Sequence, residues 1–271
     1  MKVILTKYNL QLASDSFLLK QRHHQQRRYP WQLSVSILDE DYAPAQNLKI
    51  PFSELQFRGR LIVFEGIDGS GKSTSLQSAH DYLENNGIAV EKLDLLSPFC
   101  RQLPYFRSYA DDTSTAFDGT LDQPALGLVC LADRLQRFRS HYFRLLQDGV
   151  WLICDRYAIT PIAEAAALGA NAEDLATMVN VASRLPKPAI GFHTTAPENV
   201  VLDRIRARPK DEGKILDPRF YRRAIQSVAS TSADNEFITI DSTLGQDTAN
   251  VQIFSAINAV IMKYKSEILS I

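Results

Sequence analysis

Residues 66–73 have the sequence GIDGSGKS, which fits the pattern G-x-x-x-x-G-K-[ST] at every fixed position. Glycines let backbone N–H groups turn inward around an anion without side-chain clashes. Lys72 would supply a positive charge for the β- and γ-phosphates of a nucleotide, and the hydroxyl of Ser73 would be a ligand for Mg²⁺. The segment therefore predicts a binding site for a nucleoside triphosphate with its magnesium ion.

The residues on either side of this loop support the same interpretation. Leu61 to Phe64 is an apolar run, typical of a strand buried on both faces, and residues 72–85 have a helical pattern. The start of a helix adds partial positive charge and free N–H donors for a phosphate. A glycine turn with an incidental lysine is the alternative, but it would not account for these flanks.

A second group of chemically competent residues lies at the end of GVWLICDRY, residues 149–157. Asp155 closes the apolar run, where a strand would end at the carboxyl edge of a sheet, and a carboxylate there suits Mg²⁺ beside the loop. Arg156 can hold a second phosphate at the same edge. A helix-capping role for Asp155 is the alternative interpretation.

The elements that must position these residues alternate between strands and helices after residue 58. Strands are predicted at 61–64, 88–96, 149–157, 188–195 and 236–243. Helices are predicted at 72–85, 124–147, 162–168, 172–183, 197–209, 218–230 and 247–266, and residues 97–120 are predicted to be irregular. This alternation indicates an α/β fold, namely a three-layer P-loop fold with a parallel five-stranded sheet.

Residues 1–57 differ in pattern from the rest of the chain. Two stretches partly alternate apolar and polar residues, as half-buried strands do, and a proline-containing connection follows. We predict a small β-rich N-terminal extension over residues 1–57 and a P-loop domain over residues 58–271. The basic run at residues 20–28 is interpreted as a solvated loop, with a docking surface or part of an organelle transit peptide as alternatives.

Composition excludes several classes of function. The formal net charge of the 271-residue chain is -1, which gives no electrostatic case for binding nucleic acid. No apolar stretch reaches the length of about 18 residues that a membrane span needs. Cys100, Cys130 and Cys154 have neither disulfide-like nor metal-like spacing, which favours a reducing compartment and a cytoplasmic location.

Several segments occur in the order and approximate spacing of one enzyme family. They are RGRLIVFEGIDGSGKSTS, LADRLQRF, GVWLICDRY, LPKPAIGF and VVLDRIRAR. On these segments the chain resembles the thymidylate kinase family over roughly residues 58 to 260, so that the P-loop domain is predicted to be thymidylate-kinase-like. The loop and the DRY segment are the specific part of this resemblance to the family, and the other segments only support it.

The resemblance implies transfer of the γ-phosphoryl group of Mg²⁺-bound ATP to a nucleoside monophosphate, dTMP or a related nucleotide. It implies ATP contacts from Gly66, Asp68, Gly69, Ser70, Gly71, Lys72, Ser73 and Thr74, with Ser73 and Asp155 at the metal ion. It implies contacts to the acceptor from Asp68, Arg101, Cys130, Arg134, Arg156 and Thr160. The catalytic residues would be Lys72, Asp155, Arg156, Arg204 and Arg208, the last two within a basic lid that also contains Arg206 and Lys210.

The departures from the family pattern fall mostly on the acceptor side. The altered positions are Ser97, Cys130, Glu164, Ala165 and residues 213–216 of the lid. Ser97 or a neighbouring leucine stands where the family has an arginine, and Arg101 or Arg107 is the candidate substitute. Cys130 takes the place of an aromatic residue that stacks on thymine, and Glu164 takes the place of a tyrosine. A site that loses such groups loses discrimination between bases.

Three functions therefore fit the sequence. The first is a nucleoside monophosphate kinase, the second a kinase for a nucleoside or another non-thymidylate acceptor, and the third a non-catalytic or regulatory ATP-binding protein. Retention of Lys72, Ser73, Asp155 and Arg156 argues against simple loss of catalysis. A homodimer through the predicted helix at residues 124–147 is open, because that helix would equally well be part of the core.

Overall fold

A computed structural model of the chain describes residues 42–45 and 47–269, with the backbone alone for residues 267–269. The predicted strands within residues 1–41 and the basic run at residues 20–28 lie outside the described residues. Among the described residues, no helix is long and apolar enough to cross a lipid bilayer.

Five parallel strands form the centre of the fold. They are β1 (Leu61–Glu65), β2 (Val90–Leu93), β3 (Trp151–Asp155), β4 (Ile190–Thr195) and β5 (Ile238–Asp241), in the spatial order β2-β3-β1-β4-β5. In the register of the sheet, Phe64 of β1 lies beside Asp155 of β3. The predicted parallel five-stranded sheet is confirmed, and its parallel strands bring the residues that end β1 and β3 to one edge.

Helices cover both faces of this sheet. They are α1 (Lys72–Asn85), α2 (Pro98–Gln102), α3 (Pro104–Asp111), α4 (Gln123–Arg137), α5 (Phe143–Gln147), α6 (Ile159–Ala167), α7 (Ala172–Ala182), α8 (Glu198–Arg206), α9 (Pro218–Asp234) and α10 (Gln246–Leu269). Alternate residues of β1 enter different cores: Ile62 and Phe64 pack with α1 and α10, whereas Leu61 and Val63 pack with α4, α6 and α9. Because successive side chains of a strand point to opposite faces, a continuous apolar strand builds two cores and three layers.

Two predictions about helices are wrong. Residues 97–120 are not irregular, since α2 and α3 lie there with Pro98 and Pro104 at their first turns. Proline is tolerated at the first helical position, where its missing N–H would be unpaired anyway. The long helix predicted over 124–147 is also interrupted, because residues 138–142 widen into a π-helical turn between α4 and α5.

The segment just before the predicted domain boundary packs against the sheet domain. Leu48 and Ile50 are buried in the larger core. The N–H of Leu48 donates to Oδ2 of Asp234 at 2.8 Å, and the N–H of Ile50 donates to Oδ1 of Asn235 at 2.8 Å. Residues 42–45 and 47–57 contain one isolated bridge and otherwise no strand. The boundary between residues 57 and 58 stays a prediction.

Candidate active site

The loop of residues 66–73, called the P-loop below, has a backbone that only glycine adopts readily. Gly69 and Gly71 have φ values of 83° and 96°. A Cβ atom on Gly69 would come within 2.6 Å of the Val201 carbonyl oxygen, and one on Gly71 within 2.7 Å of Cβ of Ser242. The loop therefore lies tightly against α8 and against the residues that follow β5.

The end of the P-loop offers donors without acceptors of their own. At the start of α1, no side chain among the described residues caps the free N–H groups, and Gly71 is the N-cap residue. Lys72 is only 5% exposed, and its Nζ atom lies 3.3 Å from the Ile67 carbonyl oxygen and 3.7 Å from Oδ1 of Asp155. Burial lowers the pKa of Lys72, while the neighbouring carboxylate favours its charged form. Free N–H donors and a buried ammonium suit a polyphosphate chain.

A carboxylate of the P-loop pairs with the arginine that follows β3. Nη2 of Arg156 lies 2.7 Å from Oδ1 of Asp68. The charge of Arg156 holds the pKa of Asp68 well below its usual range. Arg156 itself has a φ of 61°, which is uncommon for a residue other than glycine. Its N–H donates to the Phe64 carbonyl oxygen at 2.8 Å, so that strand β1 helps to hold a strained backbone at this edge.

Glu65, at the end of β1, is fully buried and was not predicted as a site residue. Its Oε1 accepts from the N–H groups of Tyr157 and Ile159 at 2.8 and 2.9 Å. Its Oε2 accepts from the N–H of Thr160 at 3.3 Å and from the Thr160 hydroxyl at 2.6 Å. One carboxylate thus fixes the turn that carries Arg156 next to the P-loop. The available signal was an acidic residue at the end of an otherwise apolar strand.

Arg134 on α4 is buried without the partners that a guanidinium needs. It is 5% exposed, and its Nε and Nη1 atoms have no hydrogen-bond partner among the described residues. Buried donors are almost always paired, and a buried charge without partners is costly. Arg134 lines the same cavity as Lys72 and Asp155. This arrangement indicates an anion site where α4 forms the wall of the cavity.

The cavity has a volume of about 770 Å³ and extends from the P-loop to α3, α4 and α6. At its far end Tyr109 donates from its hydroxyl to Oε2 of Glu164 at 3.0 Å. Oε1 of Glu164 lies 3.5 Å from Nη1 of Arg156. Burial raises the pKa of Glu164, although Arg156 and the Tyr109 hydroxyl act in the opposite direction. Glu164, one of the positions that depart from the family pattern, thus places a carboxyl group in this wall of the cavity.

Several predicted site residues use their polar atoms for contacts within the fold. The Ser70 hydroxyl lies 2.8 Å from the Thr194 hydroxyl, behind the P-loop. Thr160 lines the cavity, but its hydroxyl donates to Glu65. Arg101 also lines the cavity and pairs with Asp94. The hydroxyl-bearing residues at the start of α1, Ser73 and Thr74, are exposed, and Ser73 faces the cavity.

The predicted lid residues divide into three groups. Arg204 donates to the Gly69 carbonyl oxygen at 3.2 Å and to the Ser242 hydroxyl at 2.7 Å, so it ties the P-loop to the loop after β5. Arg208 and Lys210 line the cavity. Arg206 does not line it, and its partner is Asp203 at 3.4 Å.

A further basic residue of the lid, Lys214, was noted in the sequence only as part of a departure from the family pattern. It lines the cavity, and its Nζ lies 2.9 Å from Oδ1 of Asp211. The residue after it, Ile215, is hydrogen-bonded through its backbone to Asp111 and to Thr113 at 2.9 and 3.0 Å. The lid therefore lies against the end of α3.

Comparisons with known proteins agree with this geometry. A family model described as thymidylate kinase matches residues 64–253. The thymidylate kinase of Caldicellulosiruptor saccharolyticus is 27% identical over 157 residues, which cover 57% of this chain and 73% of that protein. The probable thymidylate kinase of Pyrococcus horikoshii is 31% identical over 156 residues, covering 56% and 72%. The thymidylate kinase of Akkermansia muciniphila is 26% identical over 201 residues, covering 74% and 92%.

Proposed function

Because this chain belongs to the thymidylate kinase family, and is therefore a nucleoside monophosphate kinase, we propose that it transfers the γ-phosphoryl group of ATP to dTMP or a closely related nucleotide. The observation that carries the proposal is the buried guanidinium of Arg134, whose Nε and Nη1 atoms have no partner among the described residues, in one cavity with the P-loop ammonium of Lys72. A cavity with a polyphosphate cradle at one end and a buried anion site at the other suits two phosphate-bearing substrates.

On the donor side, the N–H groups at the start of α1 and Lys72 bind the phosphates of ATP. Three features fit a bound triphosphate: the free N–H donors at the start of α1, the glycine positions where a Cβ atom would clash, and the buried ammonium of Lys72. Asp241 to Thr243 lie at the end of β5 and just after it, where the P-loop approaches, and they are the proposed neighbours of adenine.

The same end of the cavity fits a magnesium ion. The Ser73 hydroxyl and the Asp155 carboxylate are oxygen donors of the kind that Mg²⁺ prefers, and both line the cavity. When bound, Mg²⁺ neutralises charge on the donor phosphates and holds them in position.

On the acceptor side, Arg134 and Arg156 hold the monophosphate, and Asp68 orients Arg156 and faces the sugar of the acceptor. The Asp68–Arg156 pair places a guanidinium next to the P-loop, where the two substrates must meet. Catalysis then depends on positioning and on neutralisation of developing charge, since phosphoryl transfer needs little covalent help from the protein. Arg208 and Lys210 of the lid add positive charge to this region.

A second candidate function has one specific observation in its favour. The Glu164 carboxyl, held by Tyr109, and the Cys130 thiol both line the acceptor end of the cavity. A carboxyl accepts hydrogen bonds, and a thiol does not stack on a base as an aromatic ring does. These groups favour a kinase whose acceptor is a nucleotide other than dTMP, or a nucleoside.

The deciding experiment is a coupled ADP-release assay with Mg-ATP and a panel of ribonucleoside and deoxyribonucleoside monophosphates, with nucleosides included. Turnover with dTMP or a closely related nucleotide supports the first function, whereas turnover only with an unrelated nucleotide or with a nucleoside supports the second. The matched control is Lys72→Ala, which should abolish turnover while leaving the far end of the cavity intact. Tight ATP binding by the native protein without turnover on any acceptor would contradict both functions and favour an ATP-binding protein without catalysis.

Three further properties stay predictions. A cytoplasmic location follows from the cysteine pattern of the sequence, and cell fractionation would test it. A homodimer through α4 is proposed from the family resemblance, and light scattering on the purified protein would test it. We propose no nucleic-acid partner, in keeping with the net charge of -1.

A further inference from the structure

The last part of the lid, residues 214–217, is fastened to the turn that follows α3, and it is called the lid strap below. The turn comprises residues 113–116. The N–H of Ile215 donates to the Asp111 carbonyl oxygen at 2.9 Å, and the N–H of Thr113 donates to the Ile215 carbonyl oxygen at 3.0 Å. The two segments thus form an isolated parallel bridge.

The Thr113 side chain adds contacts that the backbone of the bridge does not supply. Thr113 is only 6% exposed, and its hydroxyl accepts from the N–H of Asp217 at 2.8 Å and lies 3.3 Å from the Ile215 carbonyl oxygen, to which it donates. Asp217 is the N-cap residue of α9, and the N–H of such a residue has no partner within its own helix. One hydroxyl therefore holds two residues of the lid strap.

The start of α9 is held by the same region. The guanidinium carbon of Arg219 lies 4.5 Å from the centre of the Phe117 ring, and that of Arg223 lies 5.6 Å from it. Phe117 directly follows the turn of residues 113–116. A guanidinium is attracted to the face of an aromatic ring at such distances. Loss of the Thr113 hydroxyl should therefore loosen the lid strap locally, while α9 stays anchored.

The lid strap brings Lys214 to the wall of the cavity. The side chain of Lys214 is 25% exposed and lines the cavity. Its Nζ lies 2.9 Å from Oδ1 of Asp211, whose side chain is only 7% exposed. Oδ2 of Asp211 lies 3.7 Å from Nη1 of Arg208, which also lines the cavity. One buried carboxylate thus holds two cations of the lid in the wall.

Lys214 lies within electrostatic reach of the P-loop. The charges of Arg156, Lys72 and Lys214 lower the pKa of Asp68, with the largest effect from Arg156, whereas burial acts in the opposite direction. Asp68 and Lys214 line the same cavity. Because phosphoryl transfer spreads negative charge over the oxygens of the transferred group, a cation held in place beside the P-loop stabilises the transition state.

We propose that Thr113 is a positioning residue for phosphoryl transfer, and that it acts by keeping Lys214 in contact with the transferred group. An oxygen of the acceptor's phosphate attacks the γ-phosphorus of ATP, the bond from that phosphorus to the bridging oxygen of ADP breaks, and Lys214 keeps its protons throughout. Thr113 fixes the backbone next to Lys214, and Asp211 fixes the ammonium, so little freedom remains to be lost during the reaction. The catalytic part rests on the proposed function, whereas the fastening of the lid strap does not.

The first test compares Thr113→Val, Thr113→Ser and Thr115→Val in the full chain. Valine resembles threonine in shape but lacks the hydroxyl, and serine keeps the hydroxyl. Thr115 is the matched control, because its hydroxyl donates to the Asp112 carbonyl oxygen at 2.7 Å, within the turn itself. Thr113→Val should lower kcat by about five- to tenfold with little change in either KM. The other two variants should stay within about twofold of the native kcat.

A double-mutant cycle shows whether Thr113 acts through Lys214. Lys214→Met should lower kcat by about tenfold or more, since a fixed cation is lost. Thr113→Val should then have little further effect in the Lys214→Met protein. Losses that multiply in the double variant, or a Thr113→Ser enzyme as slow as Thr113→Val, would overturn the positioning role. A native kcat in Lys214→Met would overturn the contact with the transferred group.

Hydrogen exchange tests the fastening without a kinase assay. Mass spectrometry of peptides that cover the lid strap should show exchange that is faster by about five- to tenfold in Thr113→Val, with native rates in Thr113→Ser and Thr115→Val. Unchanged exchange in Thr113→Val would overturn the fastening by Thr113. A native protein with the expected exchange pattern but without phosphoryl transfer to any acceptor would contradict the proposed function and, with it, only the catalytic part of this inference.

Discussion

At the scale of single residues, the cavity contains two kinds of charged group. Some have donor atoms without a partner among the described residues, and others are tightly paired. Arg134 has donors without acceptors among the described residues, whereas Arg156 is shared between the Asp68 and Glu164 carboxylates. An unpaired buried guanidinium is tolerated when a ligand supplies the missing anion. Arg134 is therefore the residue whose removal should affect the acceptor most directly.

Replacement of Arg134 by Gln should lower kcat/KM for the acceptor by about 100-fold, because a charge-assisted contact to a phosphate is lost in a buried site. The dissociation constant for ATP should change little, since the P-loop is not altered. Steady-state kinetics with the acceptor varied, together with calorimetry for ATP, would measure both. The control is Arg144→Gln on α5, a side chain that is 87% exposed, and it should leave the kinetics unchanged. Equal losses in acceptor and ATP binding would contradict the assignment.

A buried histidine in β4 predicts how stability depends on pH. His193 is 2% exposed, its Nδ1 has no partner among the described residues, and burial lowers its pKa to about 4. The unfolded chain binds a proton at His193 below about pH 6.5, whereas the folded chain does so only below about pH 4. Stability from this residue is therefore fully present above pH 6.5 and is lost as the pH falls towards 4, by about 3 kcal/mol in total.

The contribution of His193 can be separated from that of other titrating groups by comparison of the native protein with His193→Leu. Urea unfolding of both proteins between pH 4 and pH 7 would give the free energy of unfolding at each pH. The native protein should lose more stability than the variant as the pH falls through this window. Parallel curves for the two proteins would show that the histidine does not titrate as described.

At the scale of elements, one carboxylate links two strands at the edge of the sheet. Glu65 ends β1 and receives four hydrogen bonds, one from Tyr157 in the turn after β3 and three from the first two residues of α6. That turn carries Arg156 with its uncommon positive φ. The position of a predicted catalytic arginine thus depends on a residue that itself lies behind the site, so Glu65 is a positioning residue.

Replacement of Glu65 by Gln should destabilise the fold by about 2–4 kcal/mol, because the amide has one acceptor oxygen where the carboxylate has two. Some of the four donors would then be buried without an acceptor. It should also lower kcat, since the turn with Arg156 would no longer be fixed next to the P-loop. Thermal unfolding and steady-state kinetics would measure the two effects. Glu84→Gln on the exposed side of α1 is the control and should change neither. Unchanged kcat in a destabilised Glu65→Gln protein would show that Glu65 supports only the fold.

At the scale of the whole molecule, residues on the N-terminal side of the predicted boundary at residue 58 pack into the core of the sheet domain. Leu48 and Ile50 contribute to the core formed with α9, and backbone groups of this segment bind Asp234 and Asn235. Burial of two apolar side chains stabilises a fold by about 3–6 kcal/mol, which is a large share of the stability of a typical domain.

Two truncations would decide between the boundaries. Removal of residues 1–57 should lower the thermal midpoint of the domain by several degrees more than removal of residues 1–41, because only the longer truncation removes Leu48 and Ile50 from the core. Calorimetry on both proteins would measure the difference. Equal midpoints would support the boundary predicted between residues 57 and 58.

The sequence by itself determined the order of the five parallel strands, and it predicted a site for the phosphoryl donor at the P-loop. The P-loop is a local pattern, since its glycines, Lys72 and Ser73 lie within eight consecutive positions between an apolar strand and a helix. The helix predicted at residues 72–85 has the bounds of α1. The strands were found because buried parallel strands are continuous apolar runs. β1 is one residue longer than predicted, and the other four strands are shorter than predicted.

Only the tertiary structure decided which polar groups meet and which are left without partners. Glu65 and Thr160 are 95 residues apart, and no local pattern records that they share a hydrogen bond. The same holds for the burial of Arg134, whose Nε and Nη1 atoms have no acceptor among the described residues. A single helix is compatible with many packing arrangements, so the depth of its side chains and their partners follow from how the helices pack on the sheet.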